Sequence, residues 1–433
     1  MANARLPGEG AEAPVSRGYR SYVLGLLFVV YVFNFIDRQV LSILIDPIKE
    51  DLGVSDTAMG LLVGLTFAVF YTLAGIPIAR WADRGSRRTV IAVSLTVWSL
   101  MTAASGLARS FLHLALARIG VGVGEAGGTP PSHALLSDYF PPQQRATALA
   151  LYGNGIYVGA GLGMLAGGLL KEAFGDWRPA FYAVGLAGLP LGLLVALTVR
   201  ELPRGASESA PVATSGLGFF GVMRFLFARR SFRWIVVGAC CQAISGYAFL
   251  SWGAMFLVRV HEMTYGDVGR WLGLTIAVAG CTGVTLGGWL ADRLGRRDER
   301  WYMRLPAVVS VAGLPFAAGF LLLGSPEAAL LSFVPFYAIS NMYVGPLWST
   351  AQNLARPDMR ATASAVLLLI LNIVGLGLGP FAVGVLNDQL AEVYGLASIR
   401  YSLSFVALIG GLASVFFWIA SASLPEDLAS RDS

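Results

Sequence analysis

The sequence predicts an all-α membrane protein of twelve transmembrane helices, arranged as two pseudo-symmetric six-helix bundles. Three observations carry that expectation: a composition too apolar for water, twelve apolar runs divided by one long polar stretch, and motifs that recur once at a near-constant offset. Of 433 residues, 56% are hydrophobic and only 13% are Asp, Glu, Lys or Arg; the mean hydropathy is +0.66. Soluble domains carry about 25% charged residues, so the remaining charge cannot cover a water-facing surface of this size.

A spanning helix needs about 20 apolar residues. Runs of that kind fall at 21–45, 57–80, 89–108, 110–137, 146–170, 178–199, 233–258, 267–290, 302–323, 328–354, 360–386 and 399–423. The polar head MANARLPGEGAEAPVSRGYR leads into a first run too long for a signal peptide and without a small-residue cleavage site, so the first span is expected to be retained. The stretch from Glu201 to Arg233, with PRGASESAPVATSG, parts six spans from six. The expected organisation is a tail at 1–20, a bundle at 21–200, a linker at 201–232, a second bundle at 233–424 and a tail at 425–433.

Orientation follows from the loop arginines and lysines. With the N-terminus inside, 22 of the 31 fall in cytoplasmic segments and 7 in outer ones, and Arg38 and Arg118 lie within spans. Both termini are therefore expected in the cytoplasm, with the chain in a bacterial inner membrane. The net charge of +5 is this topology signal; it forms no basic face for nucleic acid. Asp46, Lys49, Glu50 and Asp51 read as a solvated outer loop.

Several chemistries are excluded. The two lysines, Lys49 and Lys171, close no phosphate-binding loop, so no ATP motor lies within the chain. Cys240, Cys241 and Cys281 all lie in apolar runs, and neither CxxC nor HExxH appears, so no metal site or disulfide framework is expected. No nucleophile–base constellation points to an enzyme. The expected partners are the bilayer, protons and an organic anion or amphiphile. The expected state is a monomer without cofactor, driven by a proton gradient.

The halves repeat. Arg145-Ala-Thr-Ala returns as Arg360-Ala-Thr-Ala, and Ala82-Asp83-Arg84 with Arg87-Arg88 returns as Ala291-Asp292-Arg293 with Arg296-Arg297. Span five carries Gly159, Gly163, Gly167 and Gly168, and span eleven carries Gly375, Gly379, Pro380 and Gly384. Parallel repeats about an axis along the membrane normal suit alternating access around a midplane site. At these residues the chain resembles the major facilitator superfamily. Residues 288–297 fit its G-x-L-A-D-R-x-G-R-R loop, whereas Ala79 and Ser86 replace glycines in the first copy. Met164 replaces the proline of the antiporter-associated glycine motif, so antiport is not inferred from it. The resemblance implies that Asp83, Arg84, Arg87, Arg88, Asp292, Arg293, Arg296, Arg297, Arg145 and Arg360 form conformational latches; these arginines otherwise only set topology.

Ionisable residues inside spans are functional candidates because lipid makes them costly. Four stand out: Asp37 and Arg38 in span one, Arg118 and Glu125 in span four. Asp37 and Arg118 each lie eight residues from the outer end of their spans, at similar depth roughly 12 Å below the boundary at about 1.5 Å per residue. Contact between them is expected if the spans are neighbours. Glu125 lies roughly 10 Å deeper, near the middle and with no cation expected beside it. Such a carboxyl takes a proton from one side and releases it to the other, so Asp37 and Glu125 are the candidates for proton coupling. Arg38 and Arg118 suit an anionic headgroup, and Glu125 is a further substrate-binding candidate. A network that only fixes helix packing is the alternative.

Asn34-Phe-Ile-Asp37-Arg38, with Arg118-Ile-Gly-Val-Gly-Val-Gly-Glu125-Ala-Gly, resembles the Spinster branch of the superfamily; so do Ser137-Asp-Tyr-Phe-Pro141 and Trp177-Arg-Pro-Ala-Phe181. That resemblance implies proton-coupled movement of a lysophospholipid or sphingosine-phosphate-like lipid. Its acyl chain would lie among apolar residues of the second half. A small organic-anion carrier, a multidrug exporter and a non-transporting sensor are the alternatives.

Overall fold

The computed structural model describes residues 16–207, 218–356 and 359–430. Most of the expected N-terminal tail, residues 208–217 of the linker and the last three residues lie outside them. Among the described residues the chain is helical throughout, without strands.

Hydroxyl caps start many of the passes, because a Ser or Thr oxygen satisfies an amide that the first helical turn leaves open. Ser16 opens α1 (Arg17–Ile43), and a short outer helix α2 (Ile45–Leu52) follows. Ser55 opens the second pass, α3 (Asp56–Leu61) and α4 (Phe67–Arg84), with a π-helical turn at Leu62–Thr66 between them. Ser86 opens α5 (Arg87–Ser105), and Ser110 opens α6 (Phe111–Glu125). Then come α7 (Thr129–Tyr139), α8 (Pro142–Gly153), α9 (Gly155–Phe174) and α10 (Arg178–Thr198). The short α11 (Phe219–Ala228) precedes α12 (Arg230–His261) and α13 (Tyr265–Gly295), the last capped by Thr264. The ninth and tenth passes are α14 (Trp301–Ala312) with α15 (Leu314–Leu322), and α16 (Pro326–Asn341) with α17 (Val344–Asn353). The chain closes with α18 (Arg360–Leu371), a π-helical segment at Asn372–Leu378, α19 (Gly379–Tyr394) and α20 (Ser398–Ala429).

Among the described residues ten helical segments are long and apolar enough to cross a membrane. One of them, Thr362–Ala429, is 68 residues long and folds back at Gly395–Ala397, so it holds two passes. The fourth pass is not among the ten, because the turn at 126–128 interrupts it. Where the sequence suggests one run over 110–137, Gly127 and Gly128 end α6 and Thr129-Pro130-Pro131 start α7.

Within the bundles α1 packs along α9, α5 along α10, and α12 along α20. Two seams join the bundles: α9 against α13, and α3 against α19. Both lie on the side of the membrane opposite the termini. The two π-helical segments meet across the second seam: a Cβ on Gly64 would lie 2.6 Å from the Gly377 carbonyl oxygen, so only glycine permits this approach. Farther toward the termini the inter-bundle hydrogen bonds among the described residues end with Tyr157 Oη to Asn341 Oδ1 at 3.0 Å and the Cys281 thiol to the Asn154 carbonyl at 4.0 Å. The molecule is therefore closed on the far side and parted on the side of its termini.

Candidate functional site

The four intramembrane charges converge. A Cβ on Gly124 would lie 2.7 Å from the Trp98 amide, so the glycines of α6 bring it close against α5. The same glycine-rich run ends α6 at Glu125. A helix C-terminus carries partial negative charge, so a buried carboxylate placed there needs a counter-charge.

Arg38 supplies it. Its Nε and Nη2 both lie 2.7 Å from Glu125 Oε2, and Glu125 is fully buried. The guanidinium is walled by the rings of Phe67, Phe35 and Tyr71, at 4.6, 4.8 and 5.3 Å. Such faces favour a desolvated cation. The expectation of a glutamate without a neighbouring cation is thus corrected. Counting residues places backbones at a depth, whereas the long Arg38 side chain spans the difference in height.

Asp37 and Arg118 are neighbours, as their depth suggests, but not as a side-chain pair. Arg118 Nη1 reaches the Asp37 backbone carbonyl at 3.4 Å. Both residues are about 98% buried or more, and neither Asp37 carboxylate oxygen has a hydrogen-bond partner among the described residues. Glu125 Oε1 and Arg118 Nε are likewise unpaired. Arg38 and Arg118 both line a cavity of about 20 Å³ between the bundles. Its wall also includes Phe67 and Val63 from the second pass, and Tyr247, Ser251 and Leu376 from the opposite bundle. Two arginines with spare donors, facing such a cavity, can hold an anion.

On the far side a second cluster appears that the sequence did not suggest. Arg259, in the last turn of α12, bridges Asp46 and Asp56, with Nη1 2.5 Å from Asp56 Oδ2. Lys49 Nζ lies 2.7 Å from Asp56 Oδ1, and Asn387 Nδ2 donates to Asp56 Oδ2 at 2.9 Å. Asp388 accepts the amides of Asp56 and Thr57, at 3.1 and 2.7 Å, capping α3 from the other bundle. The reading of residues 46–51 as a solvated loop is corrected accordingly: Asp46 and Lys49 belong to this clasp, and Asp51 pairs with Arg178 at 2.8 Å. Glu50 is exposed. The signal in the sequence was Asp56 at a helix start, facing Asn387-Asp388 at the outer end of span eleven.

The ten latch candidates make a different picture on the side of the termini. Arg87 pairs with Asp138 and, at 2.7 Å, with Glu201; the Arg88 amide donates to Glu201 at 2.9 Å. Burial works against the charge of Glu201, but the Arg88 amide, the Arg87 guanidinium and the Ser86 hydroxyl outweigh it and hold its carboxyl below the usual range. Arg145 donates to the Ser137 carbonyl at 3.0 Å. Asp292 accepts from Tyr302 at 3.4 Å, and Arg293 lies over the Trp289 ring. Asp83, Arg84, Arg296, Arg297 and Arg360 are exposed. Among the described residues no ion pair of this set joins the two bundles. No cluster of His, Cys, Asp and Glu that could hold a metal occurs among them either.

Comparison with known proteins agrees with this architecture. Residues 27–380 match the Major Facilitator Superfamily. An MFS-type efflux pump of Mycolicibacterium smegmatis is 36% identical over 94% of this chain and 93% of its own length. Protein spinster homolog 1 of Xenopus tropicalis is 26% identical over 96% of this chain and 84% of its own. The crystal structure of a bacterial homolog to the human lysosomal transporter Spinster, in an inward-facing and unoccupied conformation, superposes with a TM-score of 0.84. That protein is 32% identical, and the match covers 95% of this chain and 99% of the other. The chain is a multi-pass membrane transporter rather than an enzyme, and it belongs to the Spinster-like branch of the major facilitator superfamily.

Proposed function

We propose that this transporter moves an anionic amphiphile, such as a lysophospholipid or a sphingosine-phosphate-like lipid, by proton-coupled alternating access. It works as a monomer in a bacterial inner membrane with both termini in the cytoplasm, so the parted side is the cytoplasmic one. The reading rests on one observation: two buried arginines line the cavity between the bundles, and their two carboxylate neighbours each keep an oxygen unpaired.

The charges of Asp37, Arg38, Arg118 and Glu125 cancel. An anion that enters this balance brings one uncompensated negative charge into a medium where that is costly. It draws Arg38 and Arg118 toward itself, and the carboxylate left behind takes up a proton. Binding of anion and proton are then mutually favourable, which is the linkage that gradient-driven transport needs. The ten latch residues act in the opposite state, when the cytoplasmic ends meet.

The test is flux of a labelled lysophospholipid in proteoliposomes, with and without an imposed pH gradient. Gradient-dependent flux is expected. A folded protein that carries no lysophospholipid under either condition overturns the substrate class. The efflux-pump relative favours a second reading, export of amphiphilic drugs. Transport of cationic dyes in preference to lysophospholipid would select it.

A further inference from the structure

The cavity between the bundles has walls of different chemistry. The first bundle contributes the cations Arg38 and Arg118, and the second contributes Tyr247, Leu250, Ser251 and Leu376. Tyr247 and Ser251 are four residues apart on α12, so they stand one above the other on one helix face. Ser251 is 3% exposed. Neither hydroxyl forms a hydrogen bond with any described residue, although the side-chain hydrogen bonds of nearby α12, such as Gln242 Nε2 to Ser310 Oγ at 2.6 Å, are made. Across the cavity the Gln39 side-chain oxygen Oε1 is buried and unpaired. Two hydroxyls that line the cavity without a protein partner, opposite two arginines, are free to donate to acceptors placed within it.

We propose that Tyr247 and Ser251 complete the anion site from the second bundle, donating hydrogen bonds to the same headgroup that Arg38 and Arg118 neutralise from the first. This rests on the anionic-amphiphile reading given above and adds to it the group that is recognised. Four separate donors around one small cavity match a phosphomonoester, whose three terminal oxygens offer acceptors to every wall. A phosphodiester has two such oxygens and a bulky substituent in place of the third. Because the donors come from both bundles, a bound phosphomonoester bridges them, and occupancy acts directly on the seam that alternating access must open.

The experiment is equilibrium binding to the purified full-length protein with three oleoyl probes: lysophosphatidate, lysophosphatidylglycerol and the neutral monoacylglycerol. Wild type is expected to bind lysophosphatidate most tightly. Tyr247→Phe and Ser251→Ala are each expected to weaken it about tenfold, the loss of one hydrogen bond to a charged group. Monoacylglycerol binding and the ligand-free melting temperature stay unchanged, a pattern that a packing defect would not produce. Arg118→Ala separates the two levels of the argument. If Arg118→Ala loses lysophosphatidate while both hydroxyl variants bind as wild type, the second-bundle site is wrong and the anion reading stands. If Arg118→Ala also binds as wild type, the anion reading fails and this inference with it. Should Tyr247→Phe alter the melting temperature, Ser251→Ala carries the same decision.

Discussion

Arg38 meets Glu125 inside the membrane with two guanidinium nitrogens on a single carboxylate oxygen, each at 2.7 Å, and leaves the other oxygen without a partner. A bidentate fork would use both oxygens. The one-oxygen arrangement keeps Glu125 half-satisfied at the end of its helix, next to the cavity that Arg38 also lines.

Replacing Glu125 by Gln is therefore expected to remove gradient-driven flux while keeping ligand binding. Lysophosphatidate affinity in wild type should rise as pH falls, because binding recruits a proton, and this dependence should flatten in Glu125→Gln. Binding isotherms across pH check the first part and proteoliposome flux the second. Full driven transport by the variant would remove Glu125 from the coupling step.

Among the described residues Arg118 hydrogen-bonds only a backbone carbonyl and lies over the Phe67 ring, so its charge is the more available of the two. Arg118→Ala should weaken anionic ligands at least tenfold and neutral analogues little. Paired titrations with a charged and an uncharged probe measure this, and equal losses for both would assign Arg118 to helix packing.

The clasp on the outer side makes a conformational prediction. Arg259 is 4% exposed and holds two carboxylates of the first bundle from the second. Removing one partner of such a buried cluster costs about 3–5 kcal/mol, and here the loss falls on the closed outer side alone. Arg259→Ala should shift the population toward outward-open molecules. Spin labels at the exposed positions Glu50 and Val393, read by pulsed EPR, should report a new longer distance. An unchanged distribution would mean that the apolar seam alone keeps this side shut.

Glu201 predicts a pH effect on the opposite side. Its carboxyl is held below the usual range, so its contribution to stability is present at neutral pH and is lost as pH falls through and below the ordinary carboxylate range. Glu201→Gln should lower stability by about 1–3 kcal/mol at pH 7, with the gap to wild type narrowing in acid. Thermal melts in detergent at neutral and acid pH suffice to read it.

The fold was legible because lipid imposes long apolar runs, and because the two halves carry Asp-Arg loops and glycine spacings in the same order. Asp37, Arg38, Arg118 and Glu125 were conspicuous for the converse reason, as charges where lipid discourages them. Their pairing was not legible. Residue counting gives depth but not the direction in which a side chain leaves its helix, so Arg38 turns toward Glu125 while Arg118 hydrogen-bonds the Asp37 backbone. Asp56, Arg259 and Asp388 stayed hidden because at the ends of runs they look like ordinary loop polarity; only the meeting of two bundles makes them neighbours. Tyr247 and Ser251 carry no charge to mark them among other polar residues of their span.

The opposed π-helical segments at Leu62–Thr66 and Asn372–Leu378 put the two ends of the passes that carry them out of phase. One extra residue in a turn rotates everything beyond it by about 100°. The extra residue thus sets how the outer stretch that carries Asp56 is turned relative to the stretch that presents Phe67 to the cavity. Lining and clasp are thus tied by register along one rod, and the length of the segment between them fixes how a clasp residue is turned relative to a lining residue. Deleting a single residue from the Leu62–Thr66 segment would rotate the outer stretch by about 100° and misalign the clasp without altering any residue that forms it.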